Sequence, residues 1–257
     1  LHADLQALGG ALQLAVGDAV DVLARLHAAA PFDELLSHQE TGNGASFERD
    51  RRVGAWCRQQ GVPWREFRLQ GVVRGLRERR HWVAQWEAHT HAPVEAVPPL
   101  QRAAVPRFDN AWPTGADMGL DPHDPPQRQR GGRAQGLAVL NDFLAQRSAR
   151  YRGGISSPLS APDACSRLSA HLAFGTLSLR EVVQATRARL ADPALAGTRQ
   201  HAGLAGFMSR LHWHCHFIQK LETEPDIEFA NMHRGYDGLR EGEVDDERLQ
   251  ALMQGRT

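Results

Sequence analysis

Eight prolines fall between residues 93 and 130: Pro93, Pro98, Pro99, Pro106, Pro113, Pro122, Pro125 and Pro126. Each fixes its own φ, removes a backbone donor and biases the residue before it away from the helical region. No long helix can cross such a stretch. With Gly115 and Gly119 it reads as an extended connection over the surface. It divides the 257 residues into two parts, 1–92 and 131–257, each long enough to bury a core of its own.

The first part alternates strand and helix patterns. Leu12 to Val16 is a short apolar run, and Asp18 to Leu26 follows with helical spacing. Phe32 to His38 reads as a strand that ends in the polar loop Glu40-Thr41-Gly42-Asn43-Gly44. A helix from about Ser46 through Cys57 follows, with Gly61 as its stop and Pro63 beyond. A further strand near Trp64 to Leu69 completes a β-α-β-α-β series, the pattern of a parallel sheet. Trp82 and Trp86 lie four apart beside Arg77, Arg79 and Arg80, a spacing that packs one helix face.

From Gly131 onward the pattern is helical. Leu137, Leu140 and Leu144 recur at three- and four-residue spacing. Ser178-Leu179-Arg180-Glu181 is a capping box that opens a helix through Val182, Val183 and Leu190. A longer helix is predicted over about Leu204 to Leu221, and another from Asp245 or Asp246. The fold class is therefore α/β followed by all-α, with an incomplete Rossmann-like parallel sheet. Both parts read as cut short, since Leu1 is not an initiator Met and the sequence stops right after Gly255-Arg256-Thr257 with no closing element.

Composition excludes several classes. The formal net charge is zero, so no global field draws the chain onto nucleic acid, and DNA binding needs a local patch. All but one of the thirty basic residues are arginine, Lys220 being the exception. No window approaches the roughly 18 apolar residues of a membrane span. Cys57, Cys165 and Cys215 are odd in number and far apart, so no disulfide framework is expected and a reducing cytoplasm fits.

Two stretches carry chemistry. In Cys165-Ser166-Arg167-Leu168-Ser169, two hydroxyls and a guanidinium fall at the predicted start of a helix, where free N–H groups and the dipole favour a phosphate. The plainer alternative is that the serines cap the helix and Arg167 is a surface charge. In Phe207 to Phe217, His212, Cys215 and His216 share a helical face at i, i+3 and i+4. A metal would need a further ligand, and no partner pair stands nearby. Packing is the reading here, with no metal ligand assigned.

The same stretches carry a resemblance. Tyr151, followed by Cys165-Ser166-Arg167-Leu168-Ser169 and on to Gly175-Thr176-Leu177-Ser178, resembles the FAD-binding signature of the DNA photolyase/cryptochrome family. That resemblance implies FAD contacts at Tyr151, Cys165, Ser166, Arg167, Leu168 and Ser169, around the flavin's diphosphate and ribityl chain. Cys165 stands where Thr is common, which weakens one hydroxyl contact. Phe207-Met208-Ser209-Arg210-Leu211-His212-Trp213-His214-Cys215-His216-Phe217 resembles the family helix written Trp-x-Asn-Glu-Leu-x-Trp-Arg-Glu-Phe. It implies Phe207 and His214 beside the flavin, and Trp213 and Arg210 at the substrate. Arg210 replaces the family's Glu, which removes an acceptor for the N–H groups of a dimer. Ser37 to Gly42 with Arg49 to Val53 resembles, more weakly, the loop and helix of the N-terminal antenna domain.

The resemblance implies an α/β antenna domain over 1–92, a linker over 93–130 and a helical FAD-binding domain over 131–257. It implies a lyase that splits pyrimidine dimers in UV-damaged DNA by electron transfer from excited reduced FAD. A folate or deazaflavin would be a second, unassigned chromophore. The expected protein is a cytoplasmic monomer without a membrane partner. Two alternatives stand beside this reading: a cryptochrome-like blue-light sensor without repair activity, and a flavin-free helical or metal-binding module.

Overall fold

The computed structural model describes residues 1–100, 112–123 and 128–256. Part of the expected linker, with Pro106, Pro125 and Pro126, lies outside the described residues. After α1 (His2–Ala7), the run Leu12–Val16 stays irregular. The predicted first strand is therefore corrected, because no ladder forms beside it among the described residues. A strand's backbone groups need a paired neighbour. Asp18 caps α2 (Ala19–Ala29) by accepting from the Val20 N–H at 3.0 Å.

The expected β-α-β-α-β series reduces to one β-α-β unit. β1 (Leu35–His38), α3 (Gly44–Gln60) and β2 (Trp64–Phe67) form a two-stranded parallel sheet with Leu35 opposite Trp64. β1 begins later than Phe32, whose ring packs edge-on against His27 at 4.8 Å and so belongs to the core. Asn43 caps α3 through the Ser46 N–H at 3.0 Å. Gly61 ends it at φ 70°, a left-handed conformation that costs glycine nothing. Val53, Trp56 and Cys57 form the small core here with Leu23, Phe32 and Leu35 around them.

A second, larger core begins at Val72. It takes in Trp82 and Trp86 of α4 (Trp82–His91), both buried, as their spacing predicted. The Trp82 indole donates to the Gly71 carbonyl at 2.9 Å. A side chain on Gly71 would begin 2.2 Å from the Trp86 ring, so only glycine admits that packing. The buried amide of Gln219 completes the seam. Its oxygen accepts from the Val73 N–H at 2.7 Å and its nitrogen donates to the Val73 carbonyl at 3.0 Å.

The rest of this core is helical. α5 (Arg133–Asp142) runs into a π-helical turn over Phe143–Arg147 and then into α6 (Ser148–Gly154), which leaves helical geometry at Arg152 and Gly153. The leucine spacing at 137, 140 and 144 thus marks a buried face but not one regular helix. α7 (Ala161–Ala164) and α8 (Ser169–Ala173) are short. α9 (Leu179–Leu190) opens on the predicted capping box, both halves of which form. α10 (Arg199–Thr223) starts five residues before the predicted Leu204 because Thr198 caps it through the His201 N–H at 3.2 Å. Its Gly203 lies against α6, where a Cβ would fall 1.8 Å from the Ser148 carbonyl oxygen. Asp245 caps α11 (Asp246–Met253) at the predicted place.

Helix α9 also closes the C-terminal end of α4. Arg180 donates to the carbonyls of His89 (3.0 Å) and Pro93 (2.7 Å), and Gln184 to those of Thr90 (3.0 Å) and Ala92 (2.7 Å). The carbonyls of His89, Thr90 and Ala92 are acceptors that a helix end leaves without intrahelical partners. No helix among the described residues is long and apolar enough to cross a membrane.

Candidate functional site

Tyr151 on α6 is buried and meets two aromatic rings edge-on. Its centroid lies 5.4 Å from Phe143 and 5.7 Å from Phe207, and those two lie 4.7 Å apart. Edge-to-face packing at these separations contributes about 0.5–1.5 kcal/mol per pair beyond area burial. Burial raises the pKa of the Tyr151 phenol, while the nearby Arg210 guanidinium pulls it down and Cys165 pushes it up. Tyr151, Cys165, Phe207 and Arg210 therefore stand around one place, although the chain brings them from three separate segments.

The Cys165–Ser169 turn differs from its sequence expectation. Ser166 and Arg167 do not sit in the first helical turn. They precede α8, Leu168 holds the N-cap position, and no side chain caps the helix. The capping alternative for the two serines is thereby corrected. Arg167 takes a left-handed backbone at φ 62°, uncommon for a residue with a side chain. Leu168 is buried in the larger core. Ser169 and Arg167 are exposed. Among the described residues neither serine hydroxyl donates to a protein acceptor; the Ser166 oxygen accepts from the Leu168 N–H at 3.4 Å. Two free hydroxyl donors beside an exposed guanidinium form a donor set that suits a diphosphate.

On α10, Arg210 lies with its guanidinium carbon 4.8 Å from the centre of the Trp213 ring. Trp213 is 48% exposed and touches the exposed Phe217 edge-on at 5.9 Å. His214 turns the other way, into a small cavity with Leu172 of α8, Leu177, Leu179 and Gln70. Burial lowers its pKa, so it is neutral at pH 7. The helix thus presents Arg210 and Trp213 outward while His214 meets the far side of α8.

The three soft side chains at 212, 215 and 216 do not converge. His212 packs between Trp82 (4.7 Å) and Trp86 (5.0 Å), and His216 contacts Arg79 at 3.0 Å. Cys215 is fully buried, and burial pushes its thiol pKa up to about 11. Among the described residues no three His, Cys, Asp or Glu side chains are grouped to hold a metal ion.

In the loop after β1, Glu40 accepts from the N–H groups of Thr41 (2.8 Å) and Gly42 (2.6 Å) and pairs with Arg49 at 2.8 Å. Arg74 braces it from outside, donating to the Glu40 carbonyl at 2.9 Å and pairing with Glu66 at 2.7 Å. Two further residues near the Cys165–Ser169 turn escaped the motif. Arg147 and Gln129 hold its carbonyls, and no spacing rule reaches across the 18 to 38 residues that separate donors from acceptors.

No family profile matches the chain. It is 32% identical over 117 residues to the deoxyribodipyrimidine photo-lyase of Streptomyces griseus, a match covering 45% of this chain and 23% of that protein. It is 34% identical over 127 residues to the enzyme of the same name from Halobacterium salinarum, covering 49% and 25%. Its fold is similar to that of a bacterial class III photolyase from Agrobacterium tumefaciens, with TM-score 0.75 and 23% identity over 97% of this chain and 53% of that one. An archaeal photolyase from Sulfolobus tokodaii, solved with two FAD molecules, gives TM-score 0.67 and 21% identity over 100% and 53%. The cryptochrome of Synechocystis gives 0.71 and 16% over 89% and 50%. The chain spans about half the length of these solved structures, and its matches span about a quarter of the curated relatives. In sequence the chain thus resembles the two named photo-lyases over about half its length, and in fold it is similar to photolyases and a cryptochrome.

Proposed function

We propose that this chain is part of a flavoprotein that repairs pyrimidine dimers in UV-damaged DNA with light. The observation that carries the reading is the meeting of Tyr151, Cys165, Phe207 and Arg210 at one place beside uncommitted hydroxyls. Reduced FAD, when bound, would supply the photoexcited electron that opens the dimer's cyclobutane ring.

The chain's own residues would bind and orient. Ser166, Ser169 and Arg167 offer donors to the diphosphate, and the Cys165 and Leu168 backbones flank them. Tyr151 and Phe207 close the apolar side and exclude water. His214, neutral at pH 7, bears on α8 from behind. Trp213 offers a stacking face to a base extruded from the duplex, the step by which photolyases reach their substrate. Arg210 would meet the lesion or a neighbouring phosphate. In this reading residues 1–92 belong to the antenna domain, with a folate or deazaflavin as second chromophore, and 131–257 to the FAD-binding domain. The protein works as a cytoplasmic monomer.

One observation favours a second reading. Arg210 stands where the family's Glu would accept from a dimer, and its charge is already stacked on Trp213. A blue-light sensor without repair activity has no need of that acceptor. The full-length protein, reduced and illuminated with an oligonucleotide containing a single thymine dimer, separates the two. Light-dependent recovery of the two thymines supports repair. An intact dimer with a normally photoreducible bound flavin supports the sensor.

A further inference from the structure

The guanidinium of Arg147 ties the Cys165–Ser169 turn to helix α5. Nη1 donates to the Cys165 carbonyl, and Nη2 to the Ser166 carbonyl at 3.3 Å and the Val139 carbonyl at 3.2 Å. Nε donates to the Asp142 carboxylate, and the guanidinium carbon sits 5.5 Å over the Phe143 ring. The side chain is only 14% exposed. The next carbonyl of the turn, that of Arg167, accepts from the Gln129 amide at 2.7 Å. Three consecutive carbonyls, those of residues 165, 166 and 167, are thus drawn toward side-chain donors.

The last of the three residues held in this clamp is in left-handed conformation, Arg167 at φ 62°. An L-residue with a side chain holds that geometry at a cost and persists in it where its surroundings over-determine it. Here the over-determination is visible as the clamp itself. Beside these held carbonyls the Arg167 side chain is exposed, and among the described residues the Ser166 hydroxyl accepts only from the Leu168 N–H. The Phe143 ring under Arg147 is the same ring that packs on Tyr151 and Phe207, so one side chain ties the turn to the aromatic wall. The charge-assisted bonds involved are about twice as strong as neutral ones.

We propose that Arg147 is the positioning residue of the flavin site, fixing the Cys165–Ser169 turn in the shape that receives the diphosphate, with Gln129 as its lesser partner. The proposal rests on the flavin reading above. It separates two parts of the ligand: the diphosphate depends on the clamp, whereas the isoalloxazine and ribityl parts do not.

The test compares FAD with riboflavin, which lacks the diphosphate, as ligands of the flavin-free full-length protein. Dissociation constants come from quenching of flavin fluorescence, and melting temperatures are taken alongside. Arg147→Lys keeps the charge but lacks the planar fork. It is expected to weaken FAD by about tenfold while riboflavin stays within about twofold. Gln129→Ala, a change at the surface, is expected to weaken FAD alone by roughly threefold. A parallel loss of both ligands with a fall in melting temperature in Arg147→Lys, together with unchanged FAD binding in Gln129→Ala, overturns the positioning role and leaves the flavin site standing. Unchanged FAD affinity in both variants does the same. A wild-type protein that binds neither ligand sinks the flavin reading and the proposal with it.

Discussion

The guanidinium of Arg210 lies over the face of Trp213, 4.8 Å from its centre, on the outward side of α10. A cation held over an indole contributes about 0.5–1 kcal/mol at an exposed site. The pair therefore keeps a large, half-exposed aromatic face in one orientation. In the proposed function that face receives an extruded base, which makes Trp213 the first residue to test. Trp213→Ala is expected to lower the preference for dimer-containing over undamaged oligonucleotide by about tenfold, the scale of one base–aromatic stack. Competition binding reads it, and an unchanged preference would remove Trp213 from the substrate surface.

Gly203 sets two effects against each other. Alanine in a helix interior gains about 1 kcal/mol over glycine. At this position, however, its Cβ would lie 1.8 Å from the Ser148 carbonyl oxygen, a backbone atom that no rotamer change can move. Overpacking of this kind costs about 3 kcal/mol or more, so the clash wins. Gly203→Ala is expected to shift the urea midpoint sharply downward, and a rise in midpoint would show that α6 and α10 do not cross so closely.

His89 makes stability depend on pH. Burial, then the charges of Arg180 and Arg68, lower its pKa from 6.5 to about 4. Its folded value lies below its unfolded one, so between them the unfolded chain binds a proton that the folded chain refuses. Stability is then complete above pH 6.5 and is lost as pH falls toward 4. His89→Gln is expected to flatten that part of the melting-temperature profile, and a profile parallel to wild type would contradict the assignment.

Arg180 supports the same corner by holding the His89 and Pro93 carbonyls. Arg180→Ala is expected to cost about 1–2 kcal/mol, since two acceptors lose their donor. It also removes one of the charges that keep His89 neutral, so the His89 titration, followed by NMR, is expected to move upward. An unmoved titration would mean that burial and Arg68 set it without Arg180.

Glu222 carries a carboxylate oxygen that is buried without a partner, and burial raises its pKa above 4.5. A carboxyl raised in the folded state is penalised once it ionises, so the penalty is absent at low pH and grows as pH rises through the folded value. The group is partly exposed, and solvent reduces the effect. Glu222→Gln is expected to raise the melting temperature by about 2 °C at pH 7 and to make no difference near pH 4.

Local chemistry was legible in the sequence. The capping box at Ser178, the helix start at Asp245 and the stop at Gly61 stand where the residue types put them, because each depends on atoms within a few positions. What depended on distant partners was not. Leu12–Val16 had the apolar composition of a strand but forms no ladder among the described residues. Ser166 and Arg167 looked like the start of a helix, and the carbonyl clamp by Arg147 and Gln129 held them outside it. The clustering of Tyr151 with Phe207 and Arg210 reached the sequence only through a resemblance, since nothing in the spacing joins positions so far apart.

The π-helical turn over Phe143–Arg147 inserts one more residue than a regular helix would carry there. One residue corresponds to about 100° of rotation around a helix axis. Everything downstream on α6 is therefore out of phase with α5. The offset aims Ser148 at Gly203 and Tyr151 at Phe207, where an unbroken rod would have turned both aside. Removing one residue between 143 and 147 would regularise the coil and carry the tyrosine a quarter-turn or more off its partners. A defect in one helix's winding thereby sets the angular origin for the whole aromatic wall.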